Sequence, residues 1–169
     1  MRKTSSIRIV DDLGRIVVPK EMREKLHLVS GSSVDVFMQG DEIVITKHSV
    51  IKNISQVAQM CIDCFEDFNE YFIFICDTQN VIAKNKKMDN GLKIPKELFN
   101  VLTKGEIKIL HQNQIISLNE EQFSSEAIFP ILASGEVVGG LVILSKKYTE
   151  NFDFAKSMFK FLQKYLNFV

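Results

Sequence analysis

Apolar positions come in short bursts over the first fifty residues and in longer, regular rows after them. Ile7–Val10 (IRIV) and Arg15–Val18 (RIVV) are β-type runs separated by Asp11-Asp12-Leu13-Gly14, a turn-forming stretch, and the pattern predicts a hairpin. Pro19 has no N–H to give a ladder but suits the first position of a helix. Glu21 lies early and Lys25 late in the following turns, where each complements the helix dipole. The signals predict a short helix over Pro19–Leu26. LVSGSS (28–33) turns the chain, and SVDVFM, QGDE and IVITK (33–47) predict a second hairpin. A unit this small buries little surface alone. Its strands are apolar at nearly every position, so two interlaced copies would supply the missing cover.

HSVIKNIS (48–55) predicts a boundary, with one unit at 1–50 and another at 51–169. In the second, Ile51, Ile54, Ala58, Cys61, Phe65 and Phe68 recur at steps of three and four and predict a helix with one apolar stripe. YFIFICD (71–77) predicts a buried strand and NVIAK (80–84) its hairpin partner. A polar loop (84–93) follows, then a short helix opening at Pro95 and two short strands, IKIL (107–110) and IISL (115–118). EAIFPIL, ASGE and VVGGLVIL (126–144) predict a further hairpin, and a long helix runs from Asn151 to Asn167. That helix carries two apolar stripes. Ala155, Phe159, Leu162, Leu166 and Val169 form one; Phe154, Met158, Phe161, Tyr165 and Phe168 form the other. A helix lying on a sheet needs a single such face, so the second stripe predicts either a partner helix in a dimer or cover by the helix from Ile51 to Phe68 of the same chain. Helices flanking antiparallel strands make an α+β pattern.

Composition adds bounds. The chain has 169 residues and is 46% hydrophobic, enough for a real core. No apolar run approaches the ~18 residues of a membrane span, and MRKTSSIRIVDD holds no signal-peptide core, so the expected setting is cytoplasmic. The odd count of three cysteines argues against a disulfide framework. Charge is more informative. Lys+Arg and Asp+Glu balance at 21 each, yet residues 1–25 hold seven basic groups against four acidic ones. One end therefore suits a polyanion. Arginine donates in pairs to phosphates and guanine edges, which makes Arg8, Arg15 and Arg23 candidates for DNA contact, doubled in a dimer. Most surface arginines are merely solvated, and the residues alone weigh the two readings evenly.

Other motifs carry less. Cys61-Ile-Asp-Cys64 lacks the second doublet a zinc site needs and falls on the apolar helix, so both thiols are expected in the core. Gly135, Gly139 and Gly140 lack the Lys-Ser/Thr ending of a phosphate loop and fit a closely packed hairpin. No nucleophile elbow or zinc-protease motif is present. No catalytic residue, cofactor or metal is expected.

DDLGRIVVPKEMREKL (11–26), followed by GSSVDVFMQGDEIVITK (31–47), resembles the AbrB-type swapped-hairpin DNA-binding domain in its Leu-Gly-Arg turn, Val-Pro junction, helix arginine and closing hairpin. FPILASGEVVGGLVIL (129–144) before the last helix resembles a GAF domain. Together these imply an α+β chain: an N-terminal interlaced swapped-hairpin, β-barrel-like dimer, then a C-terminal GAF-like α/β sheet domain with flanking helices. The resemblance implies a DNA-binding transcription regulator of spore-forming bacteria acting on sporulation genes. Its partners would be double-stranded DNA, further copies of itself as a homodimer or homotetramer, and an unnamed small molecule held by loops within 84–99 and 110–123. Carried onto this sequence, the DNA-binding residues are Arg8, Arg15 and Arg23. The chain departs from the family pattern at Ile9 and Glu24, where a second basic residue is common. Lys20, Lys25 and the Arg2-Lys3 arm are the substitutes. Two rival readings are an antitoxin and a signalling module whose head only dimerises.

Overall fold

Pro19 caps the first helix, α1 (Lys20–Lys25), from outside; its carbonyl accepts the N–H groups of Met22 and Arg23. The computed structural model describes residues 6–65, 70–85, 92–111 and 123–168, in two compact units, Met1–His48 and Ser49–Val169. The expected IISL strand, the Arg2-Lys3 arm, Phe68 and Val169 lie outside the described residues.

In the first unit, α1 ends in two reciprocal bonds. His27 N–H reaches the Glu24 carbonyl (3.1 Å) and Leu28 N–H reaches the Arg23 carbonyl (2.8 Å), a Schellman arrangement. It places His27 at φ 52°, in the left-handed region. β1 (Val34–Gln39) and β2 (Glu42–Lys47) form the second hairpin as expected, with Gln39 opposite Glu42 around Gly40. The first hairpin differs from expectation. Ile7–Val10 and Arg15–Val18 form no ladder; two backbone bonds, Asp11 N–H to the Arg15 carbonyl (3.1 Å) and Gly14 N–H to the Asp11 carbonyl (2.8 Å), close the turn between them. The physical reason is a lack of neighbours. Ile7, Ile9, Val10, Leu13, Ile16 and Val17 are all exposed, and an isolated two-stranded ribbon is marginal in water.

The second unit is built on a five-stranded antiparallel sheet. Its strands are β3 (Tyr71–Asp77), β4 (Val81–Lys84), β5 (Lys108–His111), β6 (Ser125–Ala133) and β7 (Glu136–Ser145), in the order β4-β3-β7-β6-β5. Side chains alternate between two faces. Ile73, Ile75, Phe129, Ile131, Leu141 and Ile143 share one core with α2 (Val50–Asn53), α3 (Ser55–Asp63) and α5 (Asp153–Leu166). Phe74, Cys76, Ile128, Val142 and Leu144 share the other with α4 (Lys96–Leu102). Both faces are covered, which is why the central strands read as continuous apolar runs. Burying each large side chain contributes about 1.5–3 kcal/mol.

The helix expected from Ile51 onward breaks in two at Ile54 (φ −102°, ψ 23°) and gives way to a turn at Cys64. No proline or glycine marks the break. Its stripe is nonetheless correct: Ile51, Ile54, Ala58 and Cys61 are buried. Cys64 is not in the core as expected; it is exposed, because it sits one residue past the end of α3. Ser134 and Gly135 both have positive φ (51° and 82°) between the paired residues Ala133 and Glu136, the geometry that matches strand twist in a tight hairpin. Gly139 and Gly140 permit close packing. A Cβ at Gly139 would collide with the Cys76 carbonyl, and one at Gly140 with Leu102 of α4.

Three carboxamides stand in for missing ladder partners. Gln59 of α3 donates to the Lys84 carbonyl (3.0 Å) and accepts from its N–H (3.1 Å) on the edge strand β4. Asn85 accepts from Ile73 N–H and donates to the Tyr71 carbonyl, both at 2.9 Å. Gln163 of α5 engages Leu132 in the same two-way manner, where the β6–β7 register shifts. On α5, the first stripe packs inward as expected, and Met158 of the second joins it. Phe154 and Tyr165 of the second stripe also pack partly on this core, Phe154 beside Phe65 and Tyr71, so cover within the chain accounts for part of the stripe; Phe161 is 49% and Phe168 91% exposed.

Candidate nucleic-acid interface

The turn before Arg15 is organised by one carboxylate. Asp11 Oδ1 accepts the backbone N–H groups of Leu13 (3.0 Å) and Arg15 (2.8 Å), as a short acidic side chain does at the start of a turn. The Gly14 N–H returns to the Asp11 carbonyl (2.8 Å), and Gly14 takes φ +75°, which a side chain would resist. Asp11 Oδ2 then accepts Arg15 Nε at 2.7 Å. The backbone N–H of Arg15, then its guanidinium, hold the Asp11 carboxyl below the usual aspartate range, and Leu13 N–H adds to this. Both groups stay open to water; the Arg15 side chain is 73% exposed.

The remaining candidates lie around this turn in the chain. Arg8 is exposed and its Nη1 donates to the Ile7 carbonyl (2.9 Å). Lys20 and Arg23 lie three residues apart on α1, hence on neighbouring faces, and both are exposed. Lys20 meets Glu24 at 3.7 Å. Two exposed charges at that distance stabilise little, so Lys20 is readily released to a stronger anion. Glu24, which breaks the family pattern, thus acts on Lys20 one turn away. All four residues expected from the sequence sit on exposed parts of the first unit. Asp11 was missed as a partner of Arg15, although an aspartate four residues before an arginine, across a glycine turn, was the available signal.

In the second unit, Phe123 meets Phe72 edge-on (ring centroids 5.4 Å apart) on the α4 side of the sheet. Cys61 is pushed up to about 11, first by burial and then by Cys64, and burial pushes Cys76 up to about 12. Among the described residues, no three His, Cys, Asp or Glu side chains gather as a metal site, and no helix is long and apolar enough to cross a membrane.

Comparison with known proteins bears on both units. Residues 53–167 match the family described as stage V sporulation protein T C-terminal, transcription factor. Residues 7–53 match antidote-toxin recognition MazE, bacterial antitoxin. The chain is 30% identical over 156 residues to stage V sporulation protein T of Bacillus subtilis (strain 168), covering 88% of each. Over 48 residues it is 40% identical to the putative transition state regulator Abh of the same organism, covering 28% of this chain and 52% of the relative. Among solved structures, the type II free methionine-R-sulfoxide reductase of Thermoplasma acidophilum superposes with a TM-score of 0.55 at 15% identity, covering 69% of this chain and 92% of that one. At that identity the likeness is one of fold. With both the long family match and a relative aligned over most of its length, the chain belongs to the stage V sporulation protein T family of transcription factors.

Proposed function

We propose that residues 1–50 of two copies interlace and lay Arg8, Arg15, Lys20 and Arg23 of each copy on double-stranded DNA. Residues 51–169 then act as a GAF-like regulatory and oligomerisation domain, and the genes controlled are those of sporulation. The observation that carries this reading is the exposed apolar surface of the first unit. Besides Ile7–Val17, it includes Val34, Val36, Phe37, Met38 and Ile43. Soluble monomers seldom leave so many large apolar side chains in water. A second copy would cover it, give the unlaced strands their partners, and place four cations per copy on two-fold-related surfaces.

The test uses the full chain and duplex DNA recovered by pull-down of genomic fragments. Alanine at Arg15 or Arg23 should weaken binding by about 1–3 kcal/mol per bidentate contact. Affinity should fall steeply with salt as counterions are released. Unchanged affinity in both variants, with a flat salt response, would refute DNA contact by these residues. The match of residues 7–53 to an antitoxin family keeps a second reading in view. Against it, this chain continues into a packed sheet domain matching a transcription factor family rather than into an extended acidic tail.

A further inference from the structure

The geometry points to Asp11 as the residue that aims Arg15 and thereby sets how well the head distinguishes its operator from other DNA. This inference rests on the DNA-contact reading above and assigns a role to a residue that reading does not use.

An acid on a surface meant for a polyanion repels every phosphate equally, so it weakens binding to all sequences. Asp11 nevertheless sits in the same turn as Arg15 and touches it twice. Oδ1 holds the Arg15 backbone N–H and Oδ2 holds Nε, at 2.8 and 2.7 Å. The backbone N–H and the Nε of Arg15 are thereby referenced to one carboxylate. That carboxylate is itself oriented by the Leu13 N–H. Guanidinium Nε is the donor that a base edge does not need. The two terminal amino groups bond nothing among the described residues and remain as an open fork, the part that reads guanine O6 and N7. Held this way, Arg15 loses little freedom when the fork engages. Its charge, meanwhile, is partly offset by Asp11. The pair trades general attraction for direction: Arg15 reads by geometry more than it pulls by charge.

The experiment compares wild type, Asp11→Asn, Arg15→Ala, Arg15→Lys and the two double variants as full chains. The probes are the tightest genomic fragment from the pull-down and a scrambled duplex of equal length and composition. Asparagine keeps an oxygen for the turn N–H groups but loses the anion. For Asp11→Asn, the scrambled duplex should bind more tightly and with a steeper salt slope. The ratio of specific to scrambled affinity should fall about tenfold, the discrimination typical of one bidentate contact. Arg15→Lys keeps the charge without the Nε bond or the fork, and should lose the same ratio. Adding Asp11→Asn to either Arg15 variant should change the ratio no further. Thermal melting is recorded on every variant. An unchanged ratio in Asp11→Asn overturns the inference. So does a parallel loss on both duplexes with a lowered melting temperature, or a further loss of ratio in the double variants. Wild-type operator binding by Arg15→Ala would instead remove Arg15 from the DNA-contact reading, which Arg23→Ala and the salt response test separately.

Discussion

The carboxamide of Gln163 on α5 both donates to and accepts from the backbone of Leu132 on β6, at the point where the β6–β7 ladder shifts register. A helix side chain thus fills the gap that a bulge opens in a sheet. Replacing Gln163 with Leu keeps the bulk and leaves a half-buried N–H and carbonyl without partners. Each such group costs about 1–3 kcal/mol, so the denaturation midpoint of the second unit should fall clearly. Gln163→Glu keeps the acceptor, loses the donor, and should fall between. Equal midpoints for all three proteins would show that water serves Leu132 as well as Gln163 does.

His27 occupies the left-handed position that ends α1, at φ 52°. Glycine takes that conformation without the clash of a Cβ. His27→Gly should therefore stabilise the first unit by about 0.5–1 kcal/mol, seen as slower amide exchange at Leu28. Its N–H closes the cap on Arg23. Faster exchange there would contradict the assignment.

Gly139 faces backbone rather than a movable side chain: a Cβ would run into the Cys76 carbonyl across β3 and β7. Gly139→Ala should destabilise the sheet by about 1–3 kcal/mol or more, since the central strands must separate locally. At Gly140 the obstacle is the end of the Leu102 side chain, so Gly140→Ala should disturb the packing of α4 first. Calorimetry on both variants checks the order, with Gly139→Ala expected to be the less stable.

The thiols separate by burial. Cys64 is exposed, whereas Cys61 and Cys76 are buried and pushed up to about 11 and about 12. A thiol reagent at neutral to mildly alkaline pH should label Cys64 alone in the native chain, and all three after denaturation. The folded state holds the Cys61 and Cys76 protons more tightly than the unfolded state does. Their contribution to stability is therefore complete below the ordinary thiol value of 9.0 and is lost as pH rises through the folded values. Unfolding midpoints measured upward from pH 9.0 should fall accordingly. Rapid native labelling of Cys76 would rule out the buried position.

Much of the second unit was legible because apolar alternation reports faces directly. Tyr71–Asp77 read as a buried strand and 126–144 as a hairpin, and they supply β3, β6 and β7, the three inner strands of the sheet. Periodicity also told which side of Ile51–Cys61 meets the core. It does not report whether the helix axis continues, so the break at Ile54 was invisible. Gln59, Asn85 and Gln163 look like surface residues in sequence, since their backbone partners lie on other elements or several residues away. The same limit applies to the first unit. Its β-type runs and turn were readable, but whether they form a ladder depends on neighbours outside the local sequence. Local charge made the arginines candidates and the family resemblance assigned them to DNA, while the Asp11 bond to Arg15 needed the conformation of Gly14.

Carboxamides bear no net charge. The fastenings at Lys84, at Tyr71 and Ile73, and at Leu132 are accordingly insensitive to dissolved electrolyte. In the first unit, two exposed side-chain ties are ionic: Arg15 with Asp11 and Lys20 with Glu24. Counter-ions weaken exposed pairs of that kind. The second unit's exposed pairs, Lys147 with Glu70 and Lys156 with Asp153, weaken alike, but the carboxamides that fasten its sheet do not. A rise in ionic strength would slacken the grip and aim of the head while leaving the frame of the body unaltered, so occupancy of a polyanion could be adjusted reversibly, with no part of the core unfolding.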